Sequence, residues 1–175
     1  VNNTPGLFTG SGMPMRFAGL DGTMIDVYQA TTQMTDESGQ TYPSTADTLL
    51  DRALGAQGYY GAFVTNIHTD GSTEDQASAI VSSALARNVP VVSAKQMLTW
   101  LDGRNGSSFT GLSWSSGALT FGIAVGAGAN GLEAMVPAQA STGALGSLTR
   151  NGVAVSYAIQ TIKGVQYAVF QAQPG

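Results

Sequence analysis

Hydrophobic positions in the first hundred or so residues alternate between two periods. Short runs of β-branched and aromatic residues predict strands at 24–28, 63–67 and 89–92. Between and after them, apolar residues recur three and four positions apart at 46–54, 77–85 and 97–101, which is the stripe of an amphipathic helix. Each helix has a start signal with a polar partner three residues on, namely Ser44 with Asp47, Ser72 with Asp75, and Ser93 with Gln96.

The predicted order is therefore β-α-β-α-β-α. Strands separated by helices form right-handed parallel units, so we expect a partial α/β layer, part of an open sheet or of an incomplete barrel. A complete eight-fold barrel takes ~250 residues, so its missing units would lie upstream. The polar segment 29–43 is expected to be a long loop with a functional role.

The remainder of the chain lacks helical stripes and has turn signals at short intervals. Asn151-Gly152 between two apolar runs is a strong hairpin signal, because both turn positions need a positive φ. The pattern predicts antiparallel strands at roughly 109–114, 118–125, 132–136, 145–150, 153–161 and 165–172. That many short strands in one segment indicate a small β-sandwich.

Charge supports a division of the chain into two domains. Ten of the 11 acidic residues and five of the seven basic ones precede position 106, after which only Glu133, Arg150 and Lys163 are charged. We therefore expect a partial α/β domain at 1–105 and a β-sandwich accessory domain at 106–175.

Composition excludes several classes of function. The chain has no cysteine, which removes disulfides and thiolate chemistry, and its net charge of −4 argues against a nucleic-acid partner. No apolar run approaches the ~18 residues of a membrane span. The first residues, Val1-Asn2-Asn3-Thr4-Pro5, lead us to expect a piece of a longer protein.

His68 is the single histidine and lies just after the second predicted strand, at the sheet edge where parallel α/β folds assemble active sites. If the chain stays extended there, Asn66, His68 and Asp70 share one face. We predict His68 and Asp70 as catalytic residues, with Asp70 setting the imidazole tautomer. The alternative is that Asp70 and Ser72 are ordinary turn and cap residues and His68 is a polar strand end.

Other motifs favour structural interpretations. Gly126-x-Gly128-x-x-Gly131 matches a dinucleotide fingerprint in its letters, but Pro137 interrupts the segment where a helix would be needed and no acid comes after Glu133, so we expect a hairpin loop. The pair Asp36-Glu37 is interpreted as part of a solvated loop, with lining of a groove as the alternative. Aromatic residues that would stack on sugars, if they are not core residues, are Tyr59, Tyr60, Trp100, Trp114, Tyr157 and Tyr167.

The stretch 58–104 has a strand ending in histidine, a helix, a second short strand and a final helix. Its residues are Val64-Thr65-Asn66-Ile67-His68, the helix over 72–87, Asn88-Val89-Pro90-Val91-Val92-Ser93 and Lys95-Gln96-Met97-Leu98. This order resembles the carboxyl-terminal end of polysaccharide-deacetylase domains, in which a histidine at the matching strand end works in the active site. The family's Asp-Asp pair and His-x-x-x-His segment have no match in this chain.

The resemblance implies the last part of a secreted bacterial deacetylase-like protein, inactive in isolation, with most of its active site outside this chain. It implies no cofactor within the chain and leaves a divalent metal open for the full-length protein. The expected partners are a polysaccharide or cell-surface glycan and the upstream domains of the same polypeptide. The alternatives are a non-catalytic carbohydrate-binding or surface-interaction module and a purely structural domain.

Overall fold

The computed structural model describes residues 13–56, 58, 61–71, 73–141 and 143–173. The chain forms two compact units, Val1–Val92 and Ser93–Gly175, which are described separately. The division falls before the third predicted helix, whereas the charge pattern predicts a boundary after it. Among the described residues, no helix is long and apolar enough to cross a membrane.

The first unit opens with an antiparallel hairpin of strands β1 (Met15–Ala18) and β2 (Met24–Gln29). The guanidinium of Arg16 lies 2.9 Å from the Asp26 carboxylate and 5.0 Å from the centre of the Tyr28 ring. Alternation along the strands places these charged and aromatic groups on one face of the hairpin. The opposite face carries exposed apolar side chains, those of Met15, Phe17, Ile25 and Val27.

A parallel strand pair and two helices make up the rest of the first unit. Strands β3 (Thr32–Thr35) and β4 (Val64–Asn66) pair in parallel, and helices α1 (Ser44–Leu54) and α2 (Glu74–Ala86) follow them in the chain. Apolar side chains from β3 and both helices form a buried cluster of Met34, Ala46, Leu49 and Ile80. The two helices predicted from these stripes are thus confirmed, but only part of each stripe is buried, since Leu54, Val81 and Leu85 are exposed.

The strands of this unit differ from the predicted parallel layer. Residues 24–28 are extended as predicted, but they pair with β1 instead of joining β4. Residues 89–92 form no strand. The parallel partner of β4 comes from the segment predicted as a loop, 29–43, so the described residues show one parallel pair and no extended parallel layer.

Polar contacts across α1 and α2 hold the two helices together. Arg87 follows α2, and its guanidinium donates to both carboxylate oxygens of Asp51, at 2.6 and 3.1 Å, and to Asp47 at 2.7 Å. The Ser83 hydroxyl donates to the same Asp47 oxygen at 2.6 Å. Bidentate contacts of this kind add geometric specificity to the way the two helices pack.

The second unit begins with helix α3 (Ala94–Asn105), whose start matches the prediction. The Ser93 hydroxyl accepts from the backbone N–H of Gln96, and the Gln96 side chain accepts from the Ser93 N–H, which completes a capping box. The other two predicted cap residues are Ser44 and Ser72. Pro43 occupies the cap position of α1, where Ser44 was expected, and Ser72 lies outside the described residues.

Short antiparallel strands follow α3. They are β5 (Ser108–Ser115), β6 (Ala118–Ala124), β7 (Glu133–Pro137), β8 (Gln139–Ala140), β9 (Gly143–Ala144), β10 (Thr149–Arg150), β11 (Val153–Ala154), β12 (Ala158–Ile162) and β13 (Val165–Gln171). The described strands pair as the hairpins β5-β6, β8-β9 and β10-β11 and as a sheet ordered β12-β13-β7. Side chains of β7 and β13 form a buried cluster of Val136, Ala168 and Phe170, against which Phe121 and Ile123 of β6 pack.

The Asn151-Gly152 turn forms as predicted. Asn151 and Gly152 adopt φ angles of 49° and 80° between β10 and β11, so both turn positions are in the left-handed region that the hairpin requires. The predicted strands of the second domain all contain an observed strand, although two of them are only partly extended. Mixed α and antiparallel β structure is therefore confirmed.

The glycine-rich segment after β6 lies against α3, and its glycines allow two backbones to touch. A Cβ added at Gly126 would stand 2.3 Å from the carbonyl oxygen of Gly103, and one added at Gly103 would stand 2.4 Å from the carbonyl oxygen of Ala127. The indole N–H of Trp100 donates to the carbonyl of Asn130, at 3.1 Å. The segment joins β6 and β7, which belong to different sheets, so the predicted hairpin loop is a helix-packing connection instead.

Gly126→Ala should destabilise the second unit by about 1–3 kcal/mol, because the new methyl group must displace backbone atoms rather than a flexible side chain. The measurement is the urea midpoint of unfolding, followed by tryptophan fluorescence. Gly146→Ala is the matched control, since a Cβ there meets no atom within 4 Å. Equal midpoints for the two variants would contradict the close-packing explanation.

Candidate functional site

The parallel pairing of β3 and β4 brings two distant parts of the chain to one edge. In this register Thr35 is the partner of Asn66, so both strands end side by side. Asp36 comes directly after β3, and His68 comes two residues after β4. A carboxylate and an imidazole that are 32 positions apart in sequence thus meet at the carboxyl edge of the pair.

Asp36 and His68 make three close contacts. Nδ1 of His68 lies 3.0 Å from Oδ2 and 3.2 Å from Oδ1 of Asp36, and the backbone N–H of His68 donates to Oδ2 at 3.0 Å. The Asp36 side chain is only 7% exposed, while that of His68 is 54% exposed. The carboxylate is therefore the fixed member of the pair, and the far side of the ring is open to other molecules.

A single turn of 3-10 helix over Asp36–Ser38 sets the position of the Asp36 carboxylate. The Thr35 hydroxyl accepts from the backbone N–H of Glu37 at 3.0 Å, as a capping side chain does. The Ser38 hydroxyl donates to the Thr35 carbonyl at 2.8 Å, and Gly39 ends the turn in the left-handed conformation. The turn is thus closed at both ends by local hydrogen bonds.

Gln40 and Tyr42 tie this turn to β3. The Gln40 side chain donates to the carbonyl of Gln33 at 2.9 Å and accepts from the N–H of Thr35 at 3.3 Å. The phenol of Tyr42 donates to the Thr35 carbonyl at 3.0 Å, and burial raises the pKa of that phenol. These groups lie behind Asp36 and restrict its movement relative to the strand.

The peptide of His68 is held on its other side by Thr73, the residue before α2. The buried hydroxyl of Thr73 donates to the carbonyl oxygen of His68. Since the N–H of the same residue donates to Asp36, both polar groups of the His68 backbone are engaged. The imidazole is consequently attached to a backbone fixed from two directions.

Electrostatics within the site favour an ionised pair. Hydrogen bonds from His68, with its backbone N–H contributing most, lower the pKa of Asp36. The hydrogen bond to Asp36 is the largest influence raising the pKa of His68, followed by the negative charges of Asp36 and Glu37. An Oε1 of Glu37 lies 3.9 Å from Nε2, so the protonated ring would have a carboxylate on each side.

Asp70 has a smaller part in this site than the sequence predicts. Its negative charge is the least of the influences that raise the pKa of His68, and the hydrogen-bonded carboxylate is Asp36. Asp70 is exposed in the bend that precedes α2. A catalytic role for His68 and Asp70 stays a prediction, but the residue placed to orient the imidazole is Asp36.

Sequence reasoning missed Asp36 because it assigned residues 29–43 to a loop. An acidic residue directly after a strand of a parallel pair would have been a strong signal, had Thr32–Thr35 been recognised as β3.

Among the described residues, no group of three or more His, Asp or Glu side chains is arranged to hold a metal ion.

The predicted aromatic sugar-binding candidates are placed differently from one another. Trp114 is 54% exposed, whereas Tyr157 packs against the core cluster of the second unit. Trp100 is half-buried and bonded to the Asn130 carbonyl, and Tyr167 is half-buried in β13. Tyr59 and Tyr60 lie outside the described residues. Trp114 is thus the described candidate whose ring is most open to a ligand.

Comparison with known proteins gives no relative for this chain: no family model, curated protein or solved structure matches it.

Asp36→Asn should lower the pKa of His68 from its raised position toward the ordinary ~6.5, because the substitution removes the charge and weakens the hydrogen bond to Nδ1. Titration of the ring Cε1–H resonance by NMR measures this directly, since the chain has one histidine. Asp70→Asn is the matched control and should shift the titration less. A larger shift in Asp70→Asn than in Asp36→Asn would contradict the assignment of Asp36 as the orienting carboxylate.

Proposed function

We propose that the first unit carries the acid–base pair of a hydrolytic site in a secreted bacterial protein related to polysaccharide deacetylases. The substrate in this proposal is an acetyl ester or amide on a glycan. The observation that carries it is the Asp36–His68 pair at the carboxyl ends of β3 and β4, with the outer edge of the ring exposed. A base oriented by a fixed carboxylate is the arrangement that hydrolytic enzymes of unrelated folds share.

The chemistry depends on the tautomer that Asp36 selects. When Nδ1 carries the proton and donates to Asp36, the lone pair of Nε2 points outward and accepts a proton from water. The water oxygen then forms a bond to the acetyl carbonyl carbon. As the tetrahedral intermediate collapses, the bond to the sugar oxygen or nitrogen breaks, and Nε2–H returns the proton to that leaving atom.

Asp36 remains ionised throughout and stabilises the imidazolium while it exists, which is consistent with its lowered pKa. Asp70 contributes negative charge near the ring. In this proposal β3, α1, β4 and α2 are the end of a larger parallel α/β layer, and upstream domains of the polypeptide supply the rest of the site. The chain in isolation is then expected to be inactive.

The test is release of acetate from acetylated glycans by the longer protein that contains this chain. His68→Gln should lower the rate by about 10²–10⁴-fold, the usual contribution of a positioned acid–base group. Asp26→Asn is the matched control, because that carboxylate pairs with Arg16 in the β1-β2 hairpin. The proposal fails if the longer protein releases no acetate or if His68→Gln retains full activity.

The same assay should show a rate that rises with pH through the raised pKa of His68, because general-base catalysis needs the neutral ring. Glu37→Gln removes a negative charge near Nε2, so it should lower the pKa of His68 and bring the plateau to a lower pH. A shift of the profile to higher pH would be the opposite of what this geometry requires.

A further inference from the structure

The second unit contains a cleft of about 800 Å³. Hairpin β5-β6 contributes one part of its lining, and the segment from β7 to the turn after β10 contributes another. Known small-ligand sites have volumes of roughly 300–1,000 Å³ and combine apolar walls with a few polar groups. The cleft therefore has the dimensions of a ligand site and lies wholly within one unit.

Trp114 gives this cleft an exposed aromatic surface. The residue lies in β5 opposite Leu119 of β6, and 54% of it is accessible to solvent. Phe121 and Phe170, which also line the cleft, are instead packed together with ring centres 6.5 Å apart. The aromatic residues thus divide into a packed pair that belongs to the core cluster and one ring left open.

The polar groups of the cleft are almost all uncharged. Amides and hydroxyls line it, among them Thr120, Gln139 and Asn151. No carboxylate is among the described lining residues, so a cation would find no ionic partner. Arg150, the one charged group among the described lining residues, already donates to the Gln171 carbonyl at 3.1 Å and to the Gln173 side chain.

This combination defines a ligand class. An open indole ring favours a flat apolar face, while amides and hydroxyls favour a ligand with many hydroxyl groups of its own. A neutral sugar ring has both properties, since its C–H face is apolar and its edge carries hydroxyls. We infer that the cleft at Trp114 binds sugar units of an uncharged polysaccharide.

This binding is separate from the hydrolysis proposed for the first unit and would stand without it. The two differ in the residues on which they depend, Trp114 in one case and His68 in the other. A polysaccharide-binding test that responds to Trp114 and is indifferent to His68 keeps the two proposals distinguishable.

The experiment is native electrophoresis of the chain in gels that contain a neutral polysaccharide, with separate gels for hydroxyethylcellulose, xylan, galactomannan and glycol chitin. We expect at least one of them to retard the chain. Trp114→Ala should weaken that retardation by about tenfold or more in apparent affinity, and Trp114→Phe, which keeps an aromatic ring, should weaken it less.

Trp100→Phe is the matched control, because it removes the other tryptophan of the chain, which lies on α3 and does not line the cleft. This variant and His68→Gln should be retarded like the parent chain. Near-ultraviolet circular dichroism of each variant establishes that its second unit is folded.

Three results would overturn the inference. The first is that none of the four polysaccharides retards the folded chain. The second is retardation that folded Trp114→Ala retains in full. The third is retardation that disappears in high salt, since a charge-driven contact is screened and stacking on a ring is not.

Discussion

The candidate site depends on the parallel pairing of β3 with β4. Each strand is short, and only β4 lies in an apolar run that predicts a strand from the sequence alone. The buried side chain of Gln33 accepts from the backbone N–H of Val64 at 2.7 Å, so an amide side chain supplies one of the links between the strands. Because the register matches Thr35 with Asn66, any slip of the pair would separate Asp36 from His68.

Local sequence patterns predicted the elements that a short stretch of sequence is enough to specify. The stripes over 46–54 and 77–85 predicted α1 and α2 because each helix buries part of its apolar stripe, including Leu49 in α1 and Ile80 in α2. Asn151-Gly152 located its hairpin because few residue pairs adopt two successive positive φ angles. In both cases the information lies within a dozen or so neighbouring residues.

Strand pairing was the part that sequence reasoning misjudged. Thr32–Thr35 looks like a loop because three of its four residues are polar. Its burial comes from pairing with β4, which lies 30 or so positions away in the sequence. Residues 89–92 look like a strand because Val91 and Val92 are β-branched, yet both side chains are exposed. Since Asp36 follows β3, a sequence pattern that hides this strand also hides the orienting carboxylate, and the spacing around His68 points to Asp70 instead.

The contact between Gly103 and Gly126 has a consequence for how the second unit comes apart. Backbone atoms of α3 and of the segment joining β6 to β7 touch with no side chain between them. The helix cannot separate from that segment through small side-chain rearrangements, because no flexible side chains lie between the two backbones. We therefore expect α3 to exchange its amide hydrogens together with the strands of this unit, as one cooperative block.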